Sequence, residues 1–185
     1  MVLFLPLLGA ASVAGAGATC VYLGFQTGFP PSSNGPAMAD IAPLKPVFFP
    51  AAASICLLYV FLMAQSASAF AAHRKLKSQS ALRGDKAPSL GEVKYGGKAV
   101  GVLMMDRTVG NFLEQALPFY LGLFLHAILV SPNAGAKTGW LWILFRSYYP
   151  IVWGMNFPAV LSSTMPAYLC VLYLWWGVMA TASSL

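Results

Sequence analysis

Five long apolar stretches, separated by short polar or proline-rich breaks, set the pattern of this chain. A helix needs about 20 mostly apolar residues to cross a bilayer at 1.5 Å rise each, and every stretch comes near that length. The first covers residues 2–25, rich in Ala and Gly and free of charge. It has no preceding basic residue, as a secretory signal requires, so it is predicted to be a permanent span. Residues 26–46 carry Pro30, Pro31, Asn34, Gly35 and Pro36, which cannot continue a helix because proline lacks the donor and fixes φ. The second stretch runs over 47–72 and stops at His73, Arg74, Lys75 and Lys77. The third begins near Arg107 and ends at Ser131, Pro132 and Asn133; the fourth covers 137–156, and the fifth covers 159–182. The expected architecture is all-α and integral to the membrane. An extra N-terminal transmembrane helix (1–28) and a Pro-rich linker (29–46) precede a four-helix bundle (47–185).

Composition agrees with this pattern. Of 185 residues, 58% are apolar and 9% charged, against about 25% charged in a soluble domain. The net charge of +6 is concentrated: Arg74, Lys75, Lys77, Arg83, Lys86, Lys94 and Lys98 supply seven of the 11 Lys and Arg residues. Such an excess beside a span reports topology rather than nucleic-acid binding, and it places the loop 73–106 on the cytoplasmic, stromal or matrix side. An endoplasmic reticulum, plastid or mitochondrial membrane would suit. If all five stretches cross, the N-terminus lies inside and the C-terminus outside. Cys20, Cys56 and Cys170 are odd in number and embedded in apolar sequence, so no disulfide framework is expected. Trp140, Trp142, Trp175 and Trp176 lie near span ends, where aromatic residues anchor helices at the interface.

Ionisable residues inside a span are costly and belong in a bundle interior or beside a wet cavity. Arg107, Asn111 and Glu114 are spaced four and three apart, which puts them on one helical face. Arg146, deep in the fourth stretch, is expected to lie near Glu114. Two readings fit. In one, these side chains form a structural polar lock between helices. In the other they line a cavity open to the inner face, with Arg107 for a carboxylate, Asn111 for an amide and Glu114 for an ammonium group. A small peptide carries all three. His126 stands alone in the third stretch, either as a core residue or as a pigment or haem ligand. No His and Cys cluster has metal-ligand spacing.

The run Arg107-Thr108-Val109-Gly110-Asn111-Phe112-Leu113-Glu114, followed by Pro118-Phe119, resembles the Arg-x-x-x-Asn-x-x-Glu motif of MAPEG proteins, the membrane-associated proteins of eicosanoid and glutathione metabolism. Arg146-Ser147-Tyr148-Tyr149 resembles that family's Arg-x-x-Tyr signature, and Ala72-His73-Arg74-Lys75 resembles the basic end of its first helix. The resemblance implies a four-helix bundle that forms a homotrimer and binds glutathione between subunits near the cytoplasmic face. It implies that Arg107, Asn111, Glu114 and Tyr149 contact glutathione, with Arg74 a basic neighbour and Arg146 a supporting ion-pair partner. The implied activity is glutathione transfer to, or glutathione-dependent reduction of, a lipophilic small molecule arriving from the lipid bilayer.

Three departures bear on catalysis. Family enzymes commonly stabilise the thiolate with an Arg early in the last helix, whereas residues 156–182 contain no Lys, Arg or His. Trp153 stands where a second Tyr is usual, and Gln115 follows Glu114 where Tyr is frequent. Ser163 and Thr164 offer only weak donors to a thiolate. These departures, with the extra first span, favour a second reading from another class: a non-catalytic subunit of a larger energy-transducing membrane complex, photosynthetic or respiratory, with pigment held at His126. A third is a family member that presents a lipid without chemistry.

Overall fold

The computed structural model describes residues 41–96, 99–155 and 157–184. The predicted first span and most of the Pro-rich linker lie outside the described residues. After a 3-10 turn at Ala42–Leu44, the chain forms α1 (Lys45–Arg83), α2 (Leu90–Tyr95), α3 (Val100–Leu129), α4 (Pro132–Ser147), α5 (Tyr149–Trp153) and α6 (Phe157–Ala182), with no strand among the described residues. Ala42–Arg83, Val100–Leu129 and Pro158–Ala182 are each long and apolar enough to cross a membrane. The protein is thus an all-α integral membrane bundle.

Two expectations about element boundaries need correction. The basic segment 73–106 is largely helical rather than a loop: α1 continues through His73–Arg83. It ends where Gly84 adopts φ 73°, a left-handed conformation that a Cβ would strain. Ser89 and Glu92 then form a reciprocal capping box that starts α2. Consequently α3 begins at Val100, and Arg107 lies about 10 Å along it rather than at its start. The fourth stretch is not one helix over 137–156. Ser131 accepts a hydrogen bond from Ala134 N and Pro132 occupies the first turn, so α4 starts early. Pro150 cannot donate to the Arg146 carbonyl, and the chain turns at Tyr148 before α5.

Helices α3 and α4 form the central pair; α1 and α6 each pack against both, on opposite sides. Trp142 is fully buried at the centre, stacked on Phe119 at 4.0 Å between ring centroids and edge-on to Phe112 at 5.0 Å. Polar side chains tie helix to helix, as suits a solvent that offers no hydrogen bonds. Ser54 Oγ donates to Ala51 O at 2.7 Å, so the 2.8 Å contact with Tyr120 is made by the tyrosine hydroxyl donating. Gln65 Nε2 donates to Asp106 Oδ1, and Trp175 Nε1 to Pro118 O. Between α4 and α6, Ser163 Oγ donates to Phe145 O, and Tyr148 donates to Ser162 O at 2.7 Å. The last bond has a specific cause. Pro166 has no N–H for the carbonyl four residues earlier, and the tyrosine hydroxyl takes its place.

Candidate functional site

A crevice of about 380 Å³ opens on the N-terminal half of α3, lined by Leu103, Asp106, Arg107, Gly110, Asn111 and Glu114 of that helix and by Tyr149 at the start of α5. The α3 residues recur at helical spacing, so one face supplies a cation, an amide and a carboxylate over about two turns. A Cβ built on Gly110 would meet nothing within 4 Å, which keeps the floor open. Arg107 and Glu114 are exposed, Asn111 is half-buried and Tyr149 is buried. The turn at Tyr148, held to α6 by its bond to Ser162, brings Tyr149 across to α3.

Behind the crevice lies Arg146, the penultimate residue of α4, with only 1% of its surface exposed. Its Nη1 donates to Asn111 Oδ1. The guanidinium sits 5.8 Å from the Trp142 ring centroid and 5.9 Å from that of Tyr149, within cation–π range of both. Its Nε and Nη2 have no partner among the described residues. The expected pairing of Arg146 with Glu114 is therefore replaced by a bond to Asn111.

The structure brings Arg107, Asn111, Glu114 and Tyr149 to one crevice, with Arg146 supporting it from within. It does not bring Arg74 or His126 there. Arg74 is exposed on the extension of α1 beyond its apolar stretch. His126 is 1% exposed near the C-terminal end of α3, its ring tilted against Tyr173 at 5.6 Å and its Nδ1 without a partner among the described residues. Gly177 backs directly onto this ring: a Cβ there would fall 2.8 Å from Nε2. The enclosed imidazole leaves no open face toward α6.

Gln115 also points away from the crevice. It is 2% exposed and accepts a 3.1 Å hydrogen bond from Trp142 Nε1, so it belongs to the core rather than to a pocket wall. Ser163 is engaged with Phe145 O, whereas the buried Thr164 Oγ1 has no partner among the described residues. Sequence reasoning missed Leu103, Asp106 and Gly110. Helical spacing from Arg107 and Glu114 signals Leu103 and Gly110. A larger cavity of about 520 Å³ at the N-terminal ends of α1 and α4, between Lys45, Phe49 and Asn133, has no carboxylate among its described lining residues.

Compared with known proteins, residues 47–180 match the model of the MAPEG family. No curated protein and no solved structure matches the chain. The matched segment contains α3, α4 and the whole crevice. On the strength of that match, which covers most of its length, this chain belongs to the MAPEG family.

Proposed function

We propose that this protein binds glutathione in the α3–α5 crevice and presents its thiol to lipophilic electrophiles or hydroperoxides dissolved in the bilayer. Membership of the MAPEG family supports a membrane function in glutathione or eicosanoid metabolism. One observation carries the finer reading. Arg107, Asn111, Glu114 and Tyr149 surround one open crevice, matching the carboxylates, amides and ammonium group of a γ-glutamyl tripeptide. Arg74 does not line the crevice of its own chain, and it stays in the proposal as a basic neighbour of the site.

In a single chain Arg107 and Glu114 are exposed on the same stretch of α3 as Leu113 and Leu117, which are 51% and 68% exposed. Ionised groups facing lipid are costly, so this face calls for a cover. A second copy of the chain supplies it, and a homotrimer closes the arrangement with each crevice between two subunits. The inner end of the bundle, with its basic extension from Arg74 to Lys94, then faces the cytoplasm, stroma or matrix.

Titration of the full chain in detergent with glutathione tests this. Glu114→Gln keeps shape but loses the charge that receives an ammonium group, and affinity should fall about tenfold or more. Undetectable binding to the wild-type protein would overturn the proposal. A chlorinated aromatic electrophile then reads turnover. The absence of any Lys, Arg or His from 156–182 favours a binding role within a larger membrane assembly, for which glutathione binds without turnover and other subunits co-purify.

A further inference from the structure

Asn111 stands between the crevice and the interior, and its carboxamide has two chemically different ends. The oxygen only accepts and the nitrogen only donates. Which end faces a ligand decides what Asn111 recognises. The inner end meets Arg146 Nη1, and a guanidinium has donors and nothing else. It cannot be served by an NH2 group, so the chemistry of the pair fixes the amide: oxygen inward, nitrogen outward.

Arg146 is well placed to enforce this. It is 1% exposed, it cannot shed its proton, and its Nε and Nη2 find no other acceptor among the described residues. The rings of Trp142 and Tyr149 lie 5.8 and 5.9 Å from its guanidinium carbon. Turning the amide over would leave a buried guanidinium without its hydrogen-bonded acceptor, a far larger loss than the turn itself.

We propose that Arg146 is a positioning residue that locks Asn111 with its Nδ2 toward the crevice, so that Asn111 serves the ligand only as a hydrogen-bond donor. Arg107 and Asn111 Nδ2 then donate into the crevice and Glu114 accepts one turn further on, while the Asp106 carboxylate that also lines it accepts from Gln65. The ligand group lying against Asn111 is a carboxylate or carbonyl oxygen, not an amide N–H. This inference rests on the reading of the crevice as a glutathione site, and it assigns the orientation of that ligand.

Asn111→Asp is the informative change. The aspartate keeps an inward oxygen for Arg146 but replaces the outward NH2 with a second acceptor. In the full chain in detergent, N111D should melt at or above the wild-type temperature, yet bind glutathione about tenfold or more weakly. R146K, which keeps a charged donor, should retain more affinity than R146M. Wild-type affinity in N111D would overturn the proposal, because an amide oxygen facing the ligand is mimicked by a carboxylate. If the wild-type chain fails to bind glutathione, the functional reading falls and melting alone judges the lock. A stabilising N111D effect with Arg146 that vanishes in R146M supports it, and an equal effect in both backgrounds refutes it. Should R146M not fold, R146K replaces it: the N111D gain must shrink there.

Discussion

Tyr148→Phe removes one oxygen from the bend that carries Tyr149 to the crevice. The lost hydroxyl donates to Ser162 O at 2.7 Å, the carbonyl left without a helical partner by Pro166. A side-chain hydrogen bond between membrane helices contributes roughly 0.6 kcal/mol on average and up to about 1.7. A polar group left unsatisfied costs about 1–3 kcal/mol when buried. The bond is exposed in the first turns of α6 rather than buried in the core, so the expected loss is at the low end, about 1 kcal/mol. The structure adds a sharper condition. In a Pro166→Ala background, residue 166 regains an N–H, Ser162 O recovers its helical partner, and Tyr148→Phe should then cost only a few tenths of a kcal/mol. Unfolding of the four proteins in detergent, followed by tryptophan fluorescence, gives the coupling directly. Equal losses in the two backgrounds would refute the reasoning, since the tyrosine would then not be standing in for the missing proline donor.

Gly177→Ala places a methyl 2.7 Å from His126 Cδ2 and 2.8 Å from Nε2, and overpacking should destabilise the bundle by about 1–3 kcal/mol. His126→Ala in the same chain should restore much of that loss in a thermal melt. Trp142→Ala removes a fully buried ring that stacks on Phe119 and donates to Gln115; a loss of about 3–5 kcal/mol is expected from the same melts. Outside the membrane, hydrogen bonds from the Ser89 backbone N–H and the Ser89 pairing hold the Glu92 carboxyl below its usual range, helped by Lys86. A carboxyl lowered in the folded state contributes stability above its unfolded pKa and loses it as pH falls through the folded value. The capping box should therefore be intact at neutral pH and weaken only on the acid side of the ordinary carboxylate range. Ser89→Ala should raise the Glu92 titration midpoint by NMR, and an unchanged midpoint would count against the cap.

Within a helix, position is a matter of arithmetic. Runs of apolar residues, proline and glycine breaks, and the spacing of Arg107, Asn111 and Glu114 are local properties, and they determined the membrane character of the chain, its breaks and the polar face of α3. Polarity alone does not make a loop: the basic residues Arg74, Lys75, Lys77 and Arg83 are good helix formers, as are Leu76, Gln79, Ala81 and Leu82, and α1 keeps its backbone hydrogen bonds beyond the apolar stretch. Contacts between helices are different in kind, because they depend on rotation and axial offset, to which no single segment is sensitive. Only the packed bundle decided that Arg146 reaches Asn111 instead of Glu114, that Gln115 turns inward to Trp142, and that His126 is enclosed against Gly177. The docking of α6 is decided the same way: Ser163 Oγ and the Ser162 carbonyl bond to Phe145 O and Tyr148, contacts that no local pattern signals.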